Sequence, residues 1–320
     1  MSKVSQYRSQ NTLSQVDNVR PHRFFQQLWQ PNRHLEMRRA DKFSLQQLVE
    51  AYNQTRVDYI VPMPMNVARL NEYIKLYDID LTASWVALKE ETIHGLGMLG
   101  IRKDRAWITR VGVLPSGRRK GTGRAIIERL LQSAEERHLT TIWLEVIKGN
   151  EPANQLFLTS GFQPTRELVV ARRPPDLREF SGNGYFNGEN IVRMVDVSRS
   201  TAFNLLDKRH ARPNWLIESE SFYNVPDLQA IFVECEDGAQ GWAICQPDKF
   251  QLKHIVVEAL QGDPASVSCR LLKALHERYF TRDAIMENLP EQDPTWQGFK
   301  NAGYFDVFRR IEMVKNGHQN

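Results

Sequence analysis

A strand-forming run, Val111-Gly-Val-Leu114, leads through Pro115 into a basic turn, Ser116-Gly-Arg-Arg-Lys-Gly-Thr-Gly123. Beyond it Ile126, Ile127, Leu130 and Leu131 recur at helical spacing. The pattern predicts a strand, a turn and the start of a helix. A helix start has backbone N–H groups without intrahelical partners and a partial positive charge, so a phosphate is its natural occupant. Gly121 and Gly123 let the backbone approach such an anion, and Arg118, Arg119, Lys120 and Arg124 raise the local positive potential. Two familiar phosphate loops are excluded. The Walker pattern needs Lys after its second glycine, whereas Lys120 precedes Gly121. The dinucleotide fingerprint needs a third glycine where Ile126 stands.

What fits is Arg118-x-x-Gly121-x-Gly123 preceded by Val113-x-Pro115, which resembles the acyl-CoA pyrophosphate loop of the GNAT superfamily of N-acetyltransferases. Taken alone, the same residues also suit an ordinary basic turn that caps a helix. A second block follows in the superfamily's order and spacing: Ile142-Trp-Leu-Glu-Val146, then Asn150-Glu-Pro-Ala153-Asn-Gln-Leu156-Phe157-Leu-Thr-Ser-Gly161-Phe162. It resembles the strand, Asn-x-x-Ala, short helix and Gly-Phe of that family. The resemblance implies that acetyl-CoA, or another acyl-CoA, has its diphosphate held by residues 118 to 124, Thr122 included. Val111, Gly112 and Val113 would pair with the pantetheine arm like an added strand. Asn150 would hydrogen-bond that arm, with Ala153 and Phe157 also at the cofactor.

The chemistry so implied is acyl transfer from a thioester to an amine. An alkylamine, with a pKa of about 10.4, is protonated at neutral pH and must lose a proton before it attacks, so a carboxylate base is useful. Glu145 lies on the strand beside the cofactor, where the ribosomal-protein alanine acetyltransferases that this block resembles carry a Glu base. It equally suits a solvent-facing position in a half-buried strand. A backbone N–H near Val113 would polarise the thioester carbonyl. At position 157 the family usually has Tyr, which protonates the departing thiolate; Phe157 has no proton to give.

These residues need a scaffold. Leu35 to Ala40 reads as a first strand with Asp41 as a helix cap, and Leu45, Leu48, Val49 and Tyr52 trace a helix face. A second helix follows Pro64, with Val67, Leu70, Tyr73 and Ile74. Ser84 to Leu88 and Gly95 to Ile101 read as a hairpin about Lys89-Glu-Glu91, leading into Trp107–Leu114. Tyr59, Met63, Met65 and Met98 fall where relatives build the acceptor wall, and they suit core packing as well. Residues 1–34 form a polar extension whose apolar cluster is Phe24, Phe25, Leu28 and Trp29. Residues 173–190 have linker chemistry.

Beyond residue 190 the first half recurs at a constant offset. Ile142 to Phe162 aligns without a gap on Ala284 to Tyr304, 142 residues further on, with Glu145 on Glu287, Phe157 on Phe299 and Gly161 on Gly303. Asn150 falls on Gln292, and the stretch after Val257 offers Glu258 and Asp263 in place of arginines. The expectation is an α/β (α+β) protein with two tandem GNAT-like domains, each a mixed, mostly antiparallel twisted sheet flanked by helices. Residues 35–172 carry the acyl-CoA site, and 191–320 form a degenerate copy that completes the substrate cleft.

Composition bounds the rest. The chain has 320 residues, 41% of them hydrophobic, enough for two cores, and a net charge of +4, too small to imply bulk attraction to nucleic acid. No run of 18 apolar residues occurs, and the polar N-terminus is no secretory signal. Three cysteines without ligand spacing, and scattered histidines such as His94, His138 and His210, point to a cytoplasmic protein without a metal. Two functions stay open: transfer of an acetyl group to the amine of a small molecule or peptide, or non-catalytic acyl-CoA sensing. Neither needs a nucleic acid or a membrane, and either suits a monomer or homodimer.

Overall fold

The computed structural model describes residues 35–175 and 191–317; the polar extension with its Phe24–Trp29 cluster, and most of the linker stretch, lie outside the described residues. The N-terminal half runs β1 (Glu36–Arg39), α1 (Leu45–Gln54), α2 (Val67–Leu76), β2 (Trp85–Lys89), β3 (Thr92–Arg102), β4 (Arg105–Val113), α3 (Thr122–Glu135), β5 (Thr141–Ile147), α4 (Glu151–Thr159) and β6 (Gln163–Arg173). The C-terminal half repeats that order as β7 (Ile191–Asp196), α5 (Arg199–Asp207), α6 (Ser219–Tyr223), β8 (Gln229–Cys235), β9 (Gln240–Pro247), β10 (Gln251–Gln261), α7 (Pro264–Arg278), β11 (Asp283–Pro290), α8 (Trp296–Asn301) and β12 (Phe305–Asn316). The offset of 142 read from the sequence recurs at the starts of α3 and α7, β5 and β11, and β6 and β12.

All twelve strands form one sheet, in the order β1-β2-β3-β4-β5-β12-β6-β11-β10-β9-β8-β7. Exchanging each strand with its counterpart six places on reverses this order, so a pseudo-two-fold axis passes between β12 and β6. The halves have traded their last strands. β12 lies between β5 and β6, and β6 lies between β12 and β11, all antiparallel. Neither half completes its sheet alone, and each would expose an unpaired edge without the other.

The cores follow the same exchange. On one face α3 packs Ile126, Ile127 and Leu130 against the sheet in a cluster that includes Met313 of β12. In the C-terminal half Leu271, Leu272 and Leu275 of α7 pack in a cluster that includes Val169 and Ala171 of β6. A third core is shared, joining Leu48, Tyr52, Leu70 and Trp107 to Trp215, Phe222 and Trp242. α3 sits directly on β3, because a Cβ at Gly97 would lie 2.6 Å from Ile126 and 2.8 Å from Leu130.

Two local expectations are corrected. The cap of α1 is Ser44, in a reciprocal capping box with Gln47, while Asp41 belongs to a short 3-10 turn over Ala40–Lys42. Glu258 is not in a loop: β10 continues to Gln261, and only Gly262 and Asp263 separate it from α7. In the first half the corresponding strand and helix are separated by residues 114 to 121. The copy therefore has no turn long enough to cradle a phosphate, and Asp263 caps α7 itself by accepting from the Ser266 N–H at 2.8 Å. β6 also extends through Arg173, the first residue of the stretch read as linker. Among the described residues no helix is long and apolar enough to cross a membrane, and no group of three or more His, Cys, Asp or Glu is placed to hold a metal ion.

Candidate active site

Between β4 and α3 the chain makes a 3-10 turn over Pro115–Gly117 and then winds back on itself, with Arg119 at φ +60° and Gly121 at φ +84°. A left-handed residue at the helix cap is a position glycine tolerates freely. The backbone N–H groups of residues 119 to 124 have no well-formed hydrogen bond to an acceptor among the described residues. Six unpaired donors at the start of a 14-residue helix are the kind of group that an anion takes up. The Arg118 side chain is spent elsewhere. It holds Asp58 through both Nη atoms, at 2.6 and 2.7 Å, and reaches the carbonyls of Thr55 and Val113 at 3.2 Å, bracing the turn against the end of α1. Arg119 and Lys120 are exposed, and Arg124 donates to Thr159 Oγ1 at 3.1 Å. Thr122 is buried, and Gly123 faces Leu156 of α4.

Next to this turn the sheet opens. Parallel pairing of β4 with β5 runs from Arg105–Thr141 to Ile108–Leu144 and stops, although β4 continues to Val113 and β5 to Ile147. Residues 109–113, including Val111, Gly112 and Val113, thus present an unpaired strand edge to the gap. Gly112 admits the end of α1, since a Cβ there would lie 2.3 Å from Thr55 Oγ1. Across the gap Asn150 caps α4, accepting from the Ala153 N–H at 3.4 Å and donating to the Tyr59 hydroxyl at 3.4 Å. Phe157 is buried edge-on against Phe162, with ring centroids 6.1 Å apart.

The gap leads into a cavity of about 230 Å3. Tyr59, Tyr73, Trp107, Arg110 and Glu145 line it from the N-terminal half, and Leu216, Glu287 and Arg310 from the C-terminal half. Glu145 accepts from Trp107 Nε1 at 2.8 Å and from the side-chain amide of Asn214. Burial pushes its pKa up to about 7, against the pull of Arg310, Asn214 and Trp107 toward the charged form. Directly opposite on β12 stands Glu312, whose own charge is met by Arg166 at 2.8 Å, Thr165 at 3.1 Å and Arg212. Asn214 is fixed in turn, accepting from Leu216 N–H at 3.0 Å and from the Asn288 amide at 2.8 Å. Its neighbour Trp215 stacks on Trp107, with centroids 5.9 Å apart and planes at 17°.

Glu145 thus faces the cavity and Asn150 meets its wall at Tyr59, while the turn lies outside the lining. Tyr59 and Met63 face the cavity, Met65 borders a wider cleft beside it, and Met98 is core. Sequence reasoning missed Asn214, Trp215, Arg110 and Arg310; the repeat had flagged Glu287 alone of the second half's contributors. The copy's own gap is filled. β10 and β11 pair only at Gln251–Asp283 and Leu252–Ala284, yet the space between them, beside Phe299, is reduced to about 40 Å3 and walled by Arg209, Arg212 and Pro213. The same segment continues to Asn214, so it closes one site and furnishes the other.

A mixed sheet that splays beside a glycine-turned helix start sets unpaired backbone donors next to an open strand edge. Residues 47–162, less than half of the chain, match the Acetyltransferase (GNAT) family. The chain is similar over 59 residues, at 39% identity, to the [Ribosomal protein bS18]-alanine N-acetyltransferase of Escherichia coli strain K12; the match covers 18% of this chain and 40% of that enzyme. It thus spans less than half of the curated relative. Over both halves the fold is similar to a GCN5-related N-acetyltransferase from Sphaerobacter thermophilus, with a TM-score of 0.67 at 13% identity, covering 88% of this chain and 96% of that one. It is also similar to a tandem GNAT protein from the clavulanic acid biosynthesis pathway, with a TM-score of 0.59 at 13% identity, covering 89% and 100%. The fold is therefore the tandem GNAT fold.

Proposed function

We propose that the protein is an acetyl-CoA-dependent N-acetyltransferase with one working cofactor site, in the N-terminal half, and an acceptor cavity built by both halves. The observation that carries this reading is Glu145. A carboxylate titrating near 7 at the inner end of an open strand edge is matched to removing a proton from an amine at neutral pH. The N–H groups of residues 119 to 124 fit a diphosphate, and the free edge at 109–113 fits an extended pantetheine arm.

Acetyl-CoA supplies an activated acyl thioester. Glu145 takes a proton from the acceptor's ammonium, held in place by Trp107 and Asn214. The freed amine nitrogen then forms a bond to the carbonyl carbon as the carbon–sulfur bond breaks, and the second amine proton leaves to balance the thiolate's protonation. Phe157 cannot supply that proton. The hydroxyl of Tyr59, against Asn150 and at the cavity wall, stands at the junction of arm and acceptor and takes that part.

The test is thiol release from acetyl-CoA across an amine panel, with acetyl-CoA affinity measured by calorimetry. Glu145→Gln is expected to keep the affinity and lower kcat by about 10²-fold or more. Tight binding with no amine-dependent thiol release from the wild-type protein supports acyl-CoA sensing instead.

A further inference from the structure

The cavity wall is more basic than an amine acceptor alone explains. Arg56, Arg110 and Arg310 face it alongside two carboxylates, Glu145 and Glu287. Glu287 is matched by Arg310 at 3.1 Å. Glu145, titrating near 7, supplies only part of a charge at neutral pH. Arg56 and Arg110 have no carboxylate partner among the described residues: Arg56 donates to the Val111 carbonyl at 2.8 Å, Arg110 to the Tyr52 hydroxyl at 2.9 Å, and the Nε of each is buried without an acceptor.

Arg110 is put there by a backbone irregularity. Along β4, Trp107 and Thr109 face the cavity and Ile108 belongs to the core under α3. Strict alternation would send residue 110 to the core side. Instead Leu96 pairs with Gly112 and Met98 with Thr109, so three steps on β4 oppose two on β3, and Arg110 takes φ +54°. This bulge turns the guanidinium onto the cavity face. There it lies over the Tyr73 ring at 4.1 Å and near that of Tyr52 at 5.4 Å. Aromatic rings hold a guanidinium flat without neutralising it, which leaves its charge for a ligand.

We propose that the acceptor is a small zwitterionic amine of amino-acid type, its amine at Glu145 and its carboxylate against Arg110. This deepens the acetyltransferase reading and rests on it. A second cation on the acceptor would meet Arg56 and Arg110, which have no carboxylate within ion-pair distance although Glu287 acts on Arg110 from further off, whereas a carboxylate gives them charge-assisted hydrogen bonds.

The experiment compares free amino acids, their carboxamides and their decarboxylated amines, matched by side chain, as acceptors in the thiol-release assay. In parallel, calorimetry follows binding of the N-acetyl amino acids and N-acetyl amino acid amides to the protein with CoA. At least one amino acid is expected to exceed its amide and its decarboxylated amine by tenfold or more in kcat/KM, and its N-acetyl form to bind correspondingly tighter than the N-acetyl amide. Arg110→Gln is expected to collapse both ratios toward one, and Arg110→Lys to restore them in part. Preference for amides or decarboxylated amines, with thiol still released, overturns the proposal and leaves the acetyltransferase reading standing. Equal binding of acid and amide by the wild-type protein, or binding of neither, overturns it without reference to any variant.

Discussion

The side-chain amide of Asn214, in the C-terminal half, donates to the carboxylate of Glu145, in the N-terminal half, while Trp107 Nε1 donates to the other carboxylate oxygen at 2.8 Å. Both bonds favour the charged carboxylate and oppose the burial that raises its pKa. The second half thus contributes to the proton affinity of Glu145, the base proposed above.

Asn214→Ala removes one of those donors. The Glu145 pKa is expected to rise from its value of about 7, so the acid limb of kcat/KM against pH moves to higher pH, while the rate on the alkaline plateau changes less. A full pH–rate profile of both proteins checks this, and an unmoved limb removes Asn214 from the proton-transfer step.

The same shift has a signature in stability. A carboxylate whose folded pKa of about 7 exceeds its ordinary value of 4.5 binds more protons folded than unfolded between those two values. The native state therefore loses stability as pH rises through that window, and the loss is complete above the folded pKa. Glu145→Gln, which cannot ionise, is expected to melt a few degrees above wild type at pH 8 and to lose most of that advantage by pH 4.5. Thermal unfolding at the two pH values reads the difference without any substrate.

The proposed phosphate site is tested at Gly121. A β-branched side chain at φ +84° is strained and re-aims the N–H groups of residues 119 to 124. With charge-assisted bonds contributing roughly 1.5–3 kcal/mol each, Gly121→Val is expected to weaken acetyl-CoA binding by about tenfold to a hundredfold for every bond lost. Calorimetry measures the affinity, with circular dichroism to establish that the fold is kept.

Much of this molecule was legible in its sequence because its signals are local. The turn before α3, the strand carrying Glu145 and the gapless offset of 142 all depend on residue types at short spacing, and the elements begin where that offset puts them. The strand exchange was not legible, because nothing local in β6, with its continuous apolar run Leu168-Val-Val-Ala171, or in β12 states which neighbour each will pair. Asn214 and Arg110 escaped for related reasons. Asn214 reaches Glu145 only once the two halves are folded together, and Arg110 faces the cavity only because a bulge breaks the alternation that a sequence pattern assumes. Ser44 capped α1 in place of Asp41 because its own Gln47, three residues on, closes the box.

The seam between the halves is pinned at Arg102, which holds the segment that follows Asn214. Its buried guanidinium donates to Asp78 at 2.7 Å, the Ser221 hydroxyl at 2.8 Å, the Trp215 carbonyl at 2.9 Å, Glu218 at 3.0 Å and the Leu76 carbonyl at 3.3 Å, and it lies 4.4 Å over the Trp215 ring. Three of those partners belong to the segment that follows Asn214. Arg102→Met leaves Glu218 buried with Arg105 as its remaining cation, and breaking a buried pair costs about 3–5 kcal/mol. A lower melting temperature is therefore expected, together with an acid limb displaced in the same direction as in Asn214→Ala. Because both changes act through the one amide–carboxylate contact, the limb of the double variant should lie no further displaced than that of Asn214→Ala alone. Additive displacements would mean that Arg102 supports the base by some route other than Asn214, and an unchanged limb with a lowered melting temperature would confine Arg102 to holding the halves together.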